Sequence, residues 1–341
     1  IHDIGMAGHL SNYSIMDIHS QKNLMKEHCS FGYDILGKIP LKEEIKKYVL
    51  YHHEEWNGSG PFGLKEYEIP LGSQIIHIAD YFELFFVRKM DSGTDTFDMD
   101  IFKKWLKDCK NTMFNEDISH ILMELMNREK FWLDLQWRNM NSTLSLIELE
   151  FDTTIDIHKL SNISEVFSTL IDGKSEFTYE HSLGVSTYAN KFAKYLAYDP
   201  LMVEKLTIAA NLHDIGKFII PLDILEKPKK LSSEEFLIMK SHAYYTKLIL
   251  KQIEGLEDIA EWAGNHHEKL NGNGYPEGLD ENSLTKEDQI IAFADIYQAL
   301  IEDRPYRQGM PPKKAIRIME NMANKGYICN DMLGDFKQLV L

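Results

Sequence analysis

Histidine and aspartate residues recur through the second half of the chain in a pattern that could hold metal ions. The set comprises seven imidazole and carboxylate groups: His181, His213, Asp214, His242, His266, His267 and Asp295. Imidazole and carboxylate together suit iron, manganese, zinc or nickel better than magnesium or calcium. Because one ion takes about four to six ligands, the set predicts two metals that share a carboxylate. Asp214 is the candidate bridge, and such a metal pair can stabilise an in-line displacement at phosphorus.

Most of the chain that must position these groups has the apolar spacing of amphipathic helices. Residues 183–197 and 202–213 each place apolar side chains on one stripe, and residues 233–253 and 256–267 continue the pattern. Residues 311–324 open with two prolines, which is typical of a helix start. Alternation of the strand type is scarce, so the sequence predicts an all-α fold.

The first half of the chain repeats the blocks that carry this chemistry, in the same order. The offset drifts only from 211 residues, between His2 and His213, to 215 residues, between Asp80 and Asp295. The repeated blocks in the first half are His2-Asp3-Ile4-Gly5, His28, His52-His53-Glu54, Asn57-Gly58-Ser59-Gly60, Gln74-Ile75-Ile76 and Ala79-Asp80. We predict two tandem helical bundles of one kind, at 1–145 and 146–341. The counterpart of His181 would fall about 30 residues before Ile1 at an offset of 211, so we expect that upstream sequence is missing.

Four motifs in the second copy resemble the HD-GYP family of the HD phosphohydrolase superfamily. The segment HHEKLNGNGYP at 266–276 is similar to the family's HHExxxGxGYP signature, and HDIGK at 213–217, FADIYQAL at 293–300 and DRPYR at 303–307 also match. The resemblance covers roughly residues 165–325. It implies two HD-type helical bundles and a metal-dependent phosphodiesterase of bacterial second-messenger signalling. The implied substrate is cyclic di-GMP or 3′,3′-cyclic GMP-AMP, which would be opened to a linear dinucleotide or to mononucleotides.

The same resemblance implies a role for each matching residue. One metal would be held by His181, His213, Asp214 and Asp295, and the other by Asp214, His242, His266 and His267. Catalysis would depend on Asp214 and Lys217. Substrate contacts would come from Lys217, Arg304, Arg307, Gly274 and Tyr275. The cofactors would be two divalent ions, iron or manganese. Some relatives bind a third metal through a glutamate four residues before the first histidine, but Phe177 stands there and favours two metals.

The first copy departs from the family pattern where substrate would be handled. Met6 stands in place of the lysine, Pro61-Phe62 replaces the Tyr-Pro pair, and nothing like DRPYR follows Asp80. The metal-ligand types are nevertheless retained. We therefore predict a degenerate domain that is regulatory or structural. His19, His77, His120 and His158 have no place in the repeat and are predicted to be ordinary histidines.

Composition limits the possible partners. The net charge of −16 argues against binding to a nucleic acid polymer, because phosphate neutralisation needs an excess of lysine and arginine. The three cysteines, Cys29, Cys109 and Cys329, form no CxxC pattern and favour a reducing, cytoplasmic setting. No apolar run approaches the ~20 residues that cross a bilayer, so no membrane contact is expected in this segment. Protein partners could bind the first copy or the loop that contains Gly274 and Tyr275.

Two alternatives remain open at the level of the sequence. The first is another HD-superfamily phosphohydrolase, such as a nucleotidase or an alarmone hydrolase; the HHExxxGxGYP and DRPYR motifs discriminate against it. The second is a cyclic-dinucleotide sensor or interaction scaffold without activity. The complete ligand set and Lys217 argue against a sensor for the second copy, whereas the description fits the first copy.

Overall fold

The computed structural model describes residues 1–6, 15–83, 99–146, 155–174, 181–303 and 308–341, and within these every regular element is a helix. The predicted all-α class is confirmed. The chain divides into two units. Among the described residues, the first unit comprises 1–6, 15–83 and 99–146, and the second comprises 155–174, 181–303 and 308–341. None of the described helices combines the length and apolarity that crossing a membrane requires.

The described part of the first unit opens with a short 3-10 helix, His2–Met6, which contains the first HD pair. The α-helices that follow are α1 (Ile15–Ser20), α2 (Lys22–Gly37), α3 (Glu43–Leu50), α4 (Leu71–Phe82), α5 (Met99–Asp108), α6 (Glu116–Met126), α7 (Glu129–Asp134) and α8 (Trp137–Ser145). A further 3-10 turn, Glu66–Glu68, precedes α4. The core between α4, α5 and α6 is formed by Phe82, Phe102, Leu106 and Met126.

The second unit repeats this arrangement around its own HD pair, which precedes the 3-10 helix Ile215–Ile219. Its α-helices are α9 (Ile157–Gly173), α10 (His181–Tyr195), α11 (Pro200–Leu212), α12 (Leu222–Leu225), α13 (Ser233–Leu250), α14 (Glu257–Gly264), α15 (Lys286–Ile301), α16 (Pro312–Asn324) and α17 (Asn330–Val340). The helices predicted from apolar spacing therefore all form, with ends that shift by a few residues.

Capping side chains fix where the ligand-bearing helices begin. The Asp199 carboxylate accepts a hydrogen bond from the Met202 amide at 3.1 Å, and proline occupies the first turn of α11. Ser232 and Glu235 form a reciprocal capping box at α13, with the Ser232 amide 2.7 Å from a Glu235 carboxylate oxygen. Each cap satisfies amides that a helix start leaves without a partner, which sets the register of the helix.

An aromatic cluster holds together the two helices that contribute His181 and Asp295. Phe192 of α10 and Tyr297 of α15 both pack against Phe336 of α17, at ring-centroid distances of 4.9 and 5.3 Å. All three rings are almost fully buried. Burial of this kind stabilises each side chain by roughly 1.5–3 kcal/mol and makes the helix packing rigid. The first and last ligands of the predicted set are therefore positioned by the core.

Candidate metal centre

The seven predicted ligands of the second unit meet in one place although they come from five segments. His181 opens α10, and His213-Asp214 follows α11. His242 lies within α13, His266-His267 follows α14, and Asp295 lies within α15. All are buried except His267, whose side chain is 31% exposed. The fold therefore brings the whole set to one side of the bundle, with His267 nearest to solvent.

Three of the imidazoles are held in the same way by backbone carbonyls. The Nδ1–H groups of His213, His242 and His266 donate to the carbonyl three residues earlier, at 2.8, 2.7 and 2.7 Å. Because a carbonyl can only accept, each ring carries a proton on Nδ1. Burial lowers the pKa of His242 and His266, so the Nε2 atom of each of these two neutral rings keeps its lone pair. The Nε2 atoms of His242 and His266 then face each other at 3.4 Å. Two neutral acceptors at this distance fit a shared cation between or beside them.

His181 is fixed by carboxylates on both sides of its ring. Its Nδ1 lies 2.8 Å from a Glu302 carboxylate oxygen and its Nε2 lies 3.2 Å from Asp295 Oδ1. Burial disfavours the charged imidazole, but the hydrogen bonds to Asp295 and Glu302 outweigh it and raise the pKa of His181 to about 9. The proton on Nε2, which faces Asp295, occupies the position in which a metal would replace it.

Asp214 lies between histidines from both predicted ligand groups. Its Oδ2 is 3.2 Å from His213 Nε2, and its Oδ1 is 3.4 Å from His242 Nε2. The Lys217 ammonium also contacts Oδ2, at 2.5 Å. Burial opposes ionisation, but His213 and Lys217 hold the pKa of Asp214 well below its usual range, so the group is a carboxylate. A carboxylate that faces both histidine groups can serve as the bridge that the sequence predicts.

The ligand atoms form compact groups of the size that one ion requires. Sets of ligand atoms within 4.8 Å of one another include His181 with His213 and Asp295, His242 with His266 and His267, and His213 with Asp214 and His266. The buried Nε2 of His213 lies 3.2 Å from the Asp214 carboxylate without the geometry of a hydrogen bond. A metal ion held by these two groups would give both of them a partner. The donors present therefore fit a pair of divalent ions.

Comparison with known proteins agrees with this geometry. The sequence matches the HD domain family over residues 2–94 and 165–329. The chain belongs to the HD domain family. The resemblance to its HD-GYP branch, predicted from the motifs, is confirmed.

Several HD relatives cover long stretches of the chain. The 3′3′-cGAMP-specific phosphodiesterase 1 of Vibrio cholerae serotype O1 is 27% identical over 96% of this chain and 76% of its own length. The 3′3′-cGAMP-specific phosphodiesterase 3 of the same organism is 32% identical over 88% of this chain and 64% of its own length. A cyclic di-GMP phosphodiesterase of Thermotoga maritima is 35% identical over 49% of this chain and 46% of its own length.

One solved HD structure resembles almost the whole chain. The crystal structure of the cyclic GMP-AMP specific phosphodiesterase V-cGAP3 of V. cholerae has a TM-score of 0.65 and 23% sequence identity, and the match covers 99% of this chain and 84% of that one. At this identity the likeness establishes the shared fold. The prediction of an HD-type helical fold is therefore confirmed.

The structure describes three of the five residues to which the sequence analysis assigned substrate contacts. Tyr275 packs its ring 4.8 Å from that of His267, and burial raises its pKa, so the phenol keeps its proton. Gly274 approaches the backbone so closely that a Cβ there would lie 2.4 Å from the Cα of Glu268. Arg304 and Arg307 lie outside the described residues. Lys217 contacts Asp214, as given above, and its side chain is 17% exposed.

The loop after His267 is anchored by a carboxylate whose role the sequence did not reveal. Glu268 is buried, and its carboxylate accepts hydrogen bonds from the amides of Glu277, Gly278 and Leu279 at 2.6, 3.1 and 3.0 Å. The first unit repeats the arrangement: its Glu54 accepts from the amides of Phe62 and Leu64 at 2.5 and 2.6 Å. The signal was present in the sequence, because both copies place this glutamate directly after the His-His pair. Charge-assisted bonds to several amides fix a loop backbone strongly.

Glu302 is a positioning residue that the sequence analysis missed. It follows α15 one helical repeat of seven residues after Asp295, on the face that also places Gln298, whose amide donates to Glu302 at 3.2 Å. Carboxylates that hold the far nitrogen of a metal-binding histidine fix its ring and increase its basicity. The i, i+3, i+7 spacing of Asp295, Gln298 and Glu302 was the available signal.

Replacing Glu302 with alanine should therefore weaken metal binding while the donor set stays complete. We expect the affinity for Mn²⁺ to fall by about 10- to 100-fold, which is typical for the loss of such an outer partner. Competition with a chelator, on the folded full chain, measures this. Glu302→Gln should recover part of the affinity, because its amide oxygen still accepts from Nδ1 of His181. Glu320→Ala, a change at an exposed ion pair, is the control. Unchanged affinity in Glu302→Ala would remove Glu302 from the site.

The first unit also brings its repeated ligand types together. His28 Nε2 lies 3.2 Å from both Asp3 Oδ1 and His52 Nε2, and His2 Nε2 lies 3.1 Å from Asp3 Oδ2. The ring of His19, which the sequence analysis set apart from the repeat, is buried in this cluster, with Nε2 3.1 Å from Asp80 Oδ2. The exposed positions predicted as ordinary, His120 and His158, lie outside both clusters and form surface ion pairs.

Proposed function

We propose that the second unit is a metal-dependent phosphodiesterase that hydrolyses a cyclic dinucleotide, cyclic di-GMP or 3′,3′-cyclic GMP-AMP. The product would be a linear dinucleotide, or mononucleotides after a second cleavage. The observation that carries the proposal is the convergence of seven histidine and aspartate side chains, whose ligand atoms form overlapping groups within 4.8 Å of one another. The similar proteins named above as phosphodiesterases support the substrate class.

The proposed cofactors are two divalent ions, iron or manganese. His181, His213, Asp214 and Asp295 would hold one, and Asp214, His242, His266 and His267 would hold the other. When bound, the metals would supply Lewis-acid polarisation of a phosphate and activation of water. The donor set fits these ions because imidazole and carboxylate oxygen are both present and no thiolate belongs to this group.

The chain's own residues would bind and orient the substrate around the metals. Lys217 lies at the partly exposed edge of the site, where its ammonium can stabilise negative charge on a phosphoryl oxygen. Tyr275 keeps its phenolic proton and can donate it in a hydrogen bond beside His267. Gly274 allows the loop backbone to approach closely. Contacts from Arg304 and Arg307 to phosphate or base remain predictions, and arginine suits both roles.

The first unit is proposed to be non-catalytic. Met6 stands where Lys217 stands in the second unit, so no ammonium lies beside Asp3 in this position. Pro61-Phe62 likewise replaces Tyr275-Pro276 in the anchored loop. A regulatory or structural role, with protein partners at this unit or at the loop, stays a prediction. The cytoplasmic location also stays a prediction.

Turnover by the purified full chain tests the proposed activity directly. The chain is loaded anaerobically with Fe²⁺ or Mn²⁺ and incubated separately with cyclic di-GMP, 3′,3′-cyclic GMP-AMP and cyclic di-AMP. We expect one of the two guanine-containing substrates to yield a linear dinucleotide, detected by mass spectrometry, and cyclic di-AMP to be the poorest substrate. Metal-loaded protein that consumes none of the three would eliminate the phosphodiesterase and leave a sensor or another phosphohydrolase.

A further inference from the structure

We propose that the first unit contains a divalent metal site of its own, in which His19 supplies the ligand that His181 supplies in the second unit. The core donors would be His19, His53 and Asp80, whose ligand atoms lie within 4.8 Å of one another. The site would hold a first-row divalent ion that imidazole and carboxylate favour. It is distinct from the centre of the second unit and does not depend on the proposed activity.

Within each unit, a histidine lies at nearly the same distance from the equivalent aspartate. His19 Nε2 lies 3.1 Å from an Asp80 oxygen, and His181 Nε2 lies 3.2 Å from an Asp295 oxygen. Asp80 and Asp295 are equivalent in the repeat, being 215 residues apart. The two histidines are not equivalent, because His181 precedes its HD pair in the sequence and His19 follows its own. Histidines from different parts of the two units therefore contact equivalent carboxylates.

The remaining repeated donors are also arranged alike. His28 Nε2 and His52 Nε2 face each other at 3.2 Å, and their counterparts His242 and His266 do so at 3.4 Å. The Nδ1–H of His52 donates to the Val49 carbonyl, three residues earlier, at 2.5 Å. Its proton is thereby fixed on Nδ1, and the Nε2 lone pair faces the cluster, as in the second unit.

Buried nitrogens without partners point to a missing ligand in this cluster. His53 is 2% exposed, and neither of its ring nitrogens has a hydrogen-bond partner among the described residues. The His19 ring lies 4.7 Å from the His53 ring, and its Nδ1 also lacks a partner within the same ranges. Leaving buried polar atoms unsatisfied costs free energy, because their hydrogen bonds to water are lost without replacement. An ion bound beside Asp80 by His19 Nε2 and by His53 would give one ring nitrogen of His53 the partner that it lacks.

The two halves of this cluster differ in their exposure to solvent. His2 and Asp3 are 34% and 37% exposed as side chains, whereas His213 and Asp214 are 1% and 4% exposed. The HD pair of the first unit is thus more open to solvent. The exposure of His19 and Asp80 is low, at 6% and 8% of their side chains. The buried half of the cluster is therefore the part in which a metal would be held.

The test isolates the first unit by disabling the second. The full chain carrying Asp214→Ala and His266→Ala is loaded with Co²⁺, desalted and analysed for bound cobalt and for visible ligand-field absorption. We expect about one Co²⁺ per chain to remain, with bands typical of nitrogen and oxygen ligands. Adding His19→Ala should weaken Co²⁺ binding at least ~10-fold, and His19→Asp, which keeps a ligand atom, should recover part of it.

His120→Ala, at an exposed histidine of the same unit, is the matched control and should leave cobalt binding unchanged. Far-UV circular dichroism confirms that each variant is folded. A chain without bound cobalt once the second site is disabled would overturn the site. Cobalt binding that persists unchanged in His19→Ala would overturn the role of His19. Neither outcome bears on the proposed phosphodiesterase, because no turnover is measured.

Discussion

Replacing Asp214 with alanine is expected to lower turnover of the cyclic dinucleotide by at least ~10³-fold, equivalent to ~4 kcal/mol of transition-state stabilisation. The reason is the position of the carboxylate between His213 and His242, at 3.2 and 3.4 Å. Removing it would take a donor from both proposed metals and leave the histidines without their shared anion. Initial rates with the preferred substrate, together with bound metal per chain, measure the effect.

Folding has to be separated from chemistry in this variant, because Asp214 is 3% exposed. Asp214→Asn keeps the side-chain volume and should also lose most of the activity, since an amide is a poorer metal ligand than a carboxylate. Asp258→Ala removes an exposed carboxylate from the same unit and should retain full activity. A folded Asp214→Asn or Asp214→Ala chain that turns over substrate at the original rate would contradict the assignment of Asp214.

Replacing Gly216 with alanine is expected to destabilise the second unit by ~3 kcal/mol, at the upper end of what overpacking costs. A Cβ on Gly216 would lie 2.0 Å from the carbonyl oxygen of His242 and 2.7 Å from the amide nitrogen of Thr246. Both are backbone atoms of α13, so the helix that carries His242 would have to move away from the HD pair. We expect the melting temperature of the second unit to fall by about 6–12 °C in Gly216→Ala. Metal binding by this unit should also be weaker.

Thermal unfolding in the presence of a chelator measures the change without a contribution from bound metal. Gly334→Ala in α17 is the matched control, because a Cβ there meets nothing within 4 Å. That change should be neutral or stabilising by up to about 1 kcal/mol, since alanine favours a helix more than glycine does. Equal stability of Gly216→Ala and Gly334→Ala would mean that the contact with α13 tolerates a methyl group.

The same contact explains why glycine follows the HD pair in both copies. A Cβ on Gly5 would lie 2.0 Å from the carbonyl oxygen of His28, the counterpart of His242. The sequence shows Gly5 and Gly216 at matching positions, but spacing alone does not reveal which helix each one contacts. Only the fold shows that the motif's glycine sets the distance between two segments that contain predicted ligands.

The helices and the ligand types were predictable because both leave local patterns. Apolar spacing gave the helices that became α10, α11 and α13, and the repeat gave the order of histidines and aspartates. Whether those ligands act as assigned stays a prediction, as does the domain boundary at 145/146. The helical fold and the membership of the HD family are confirmed.

Residues brought in by the path of the chain were not predictable in this way. His19 lies outside the repeat, and its contact with Asp80 spans 61 positions along the chain, from residue 19 to residue 80. His181 meets Glu302 across 121 positions. Such contacts depend on how helices pack, which neither the composition of a segment nor the spacing of a motif determines. The sequence predicted the ligand types of the centre, whereas helix packing determined that His19 and Glu302 also contact residues of the clusters.

The loop that follows each His-His pair is held by a buried glutamate, so its backbone course does not depend on its side chains. Glu268 and Glu54 bind their loops through main-chain amides, so the backbone path is specified without reference to the side chains that the loop presents. The sequence of the first loop could therefore diverge while its frame was preserved. In this protein a buried carboxylate specifies the course of each loop and leaves its chemistry free to vary, as the difference between Pro61-Phe62 and Tyr275-Pro276 shows.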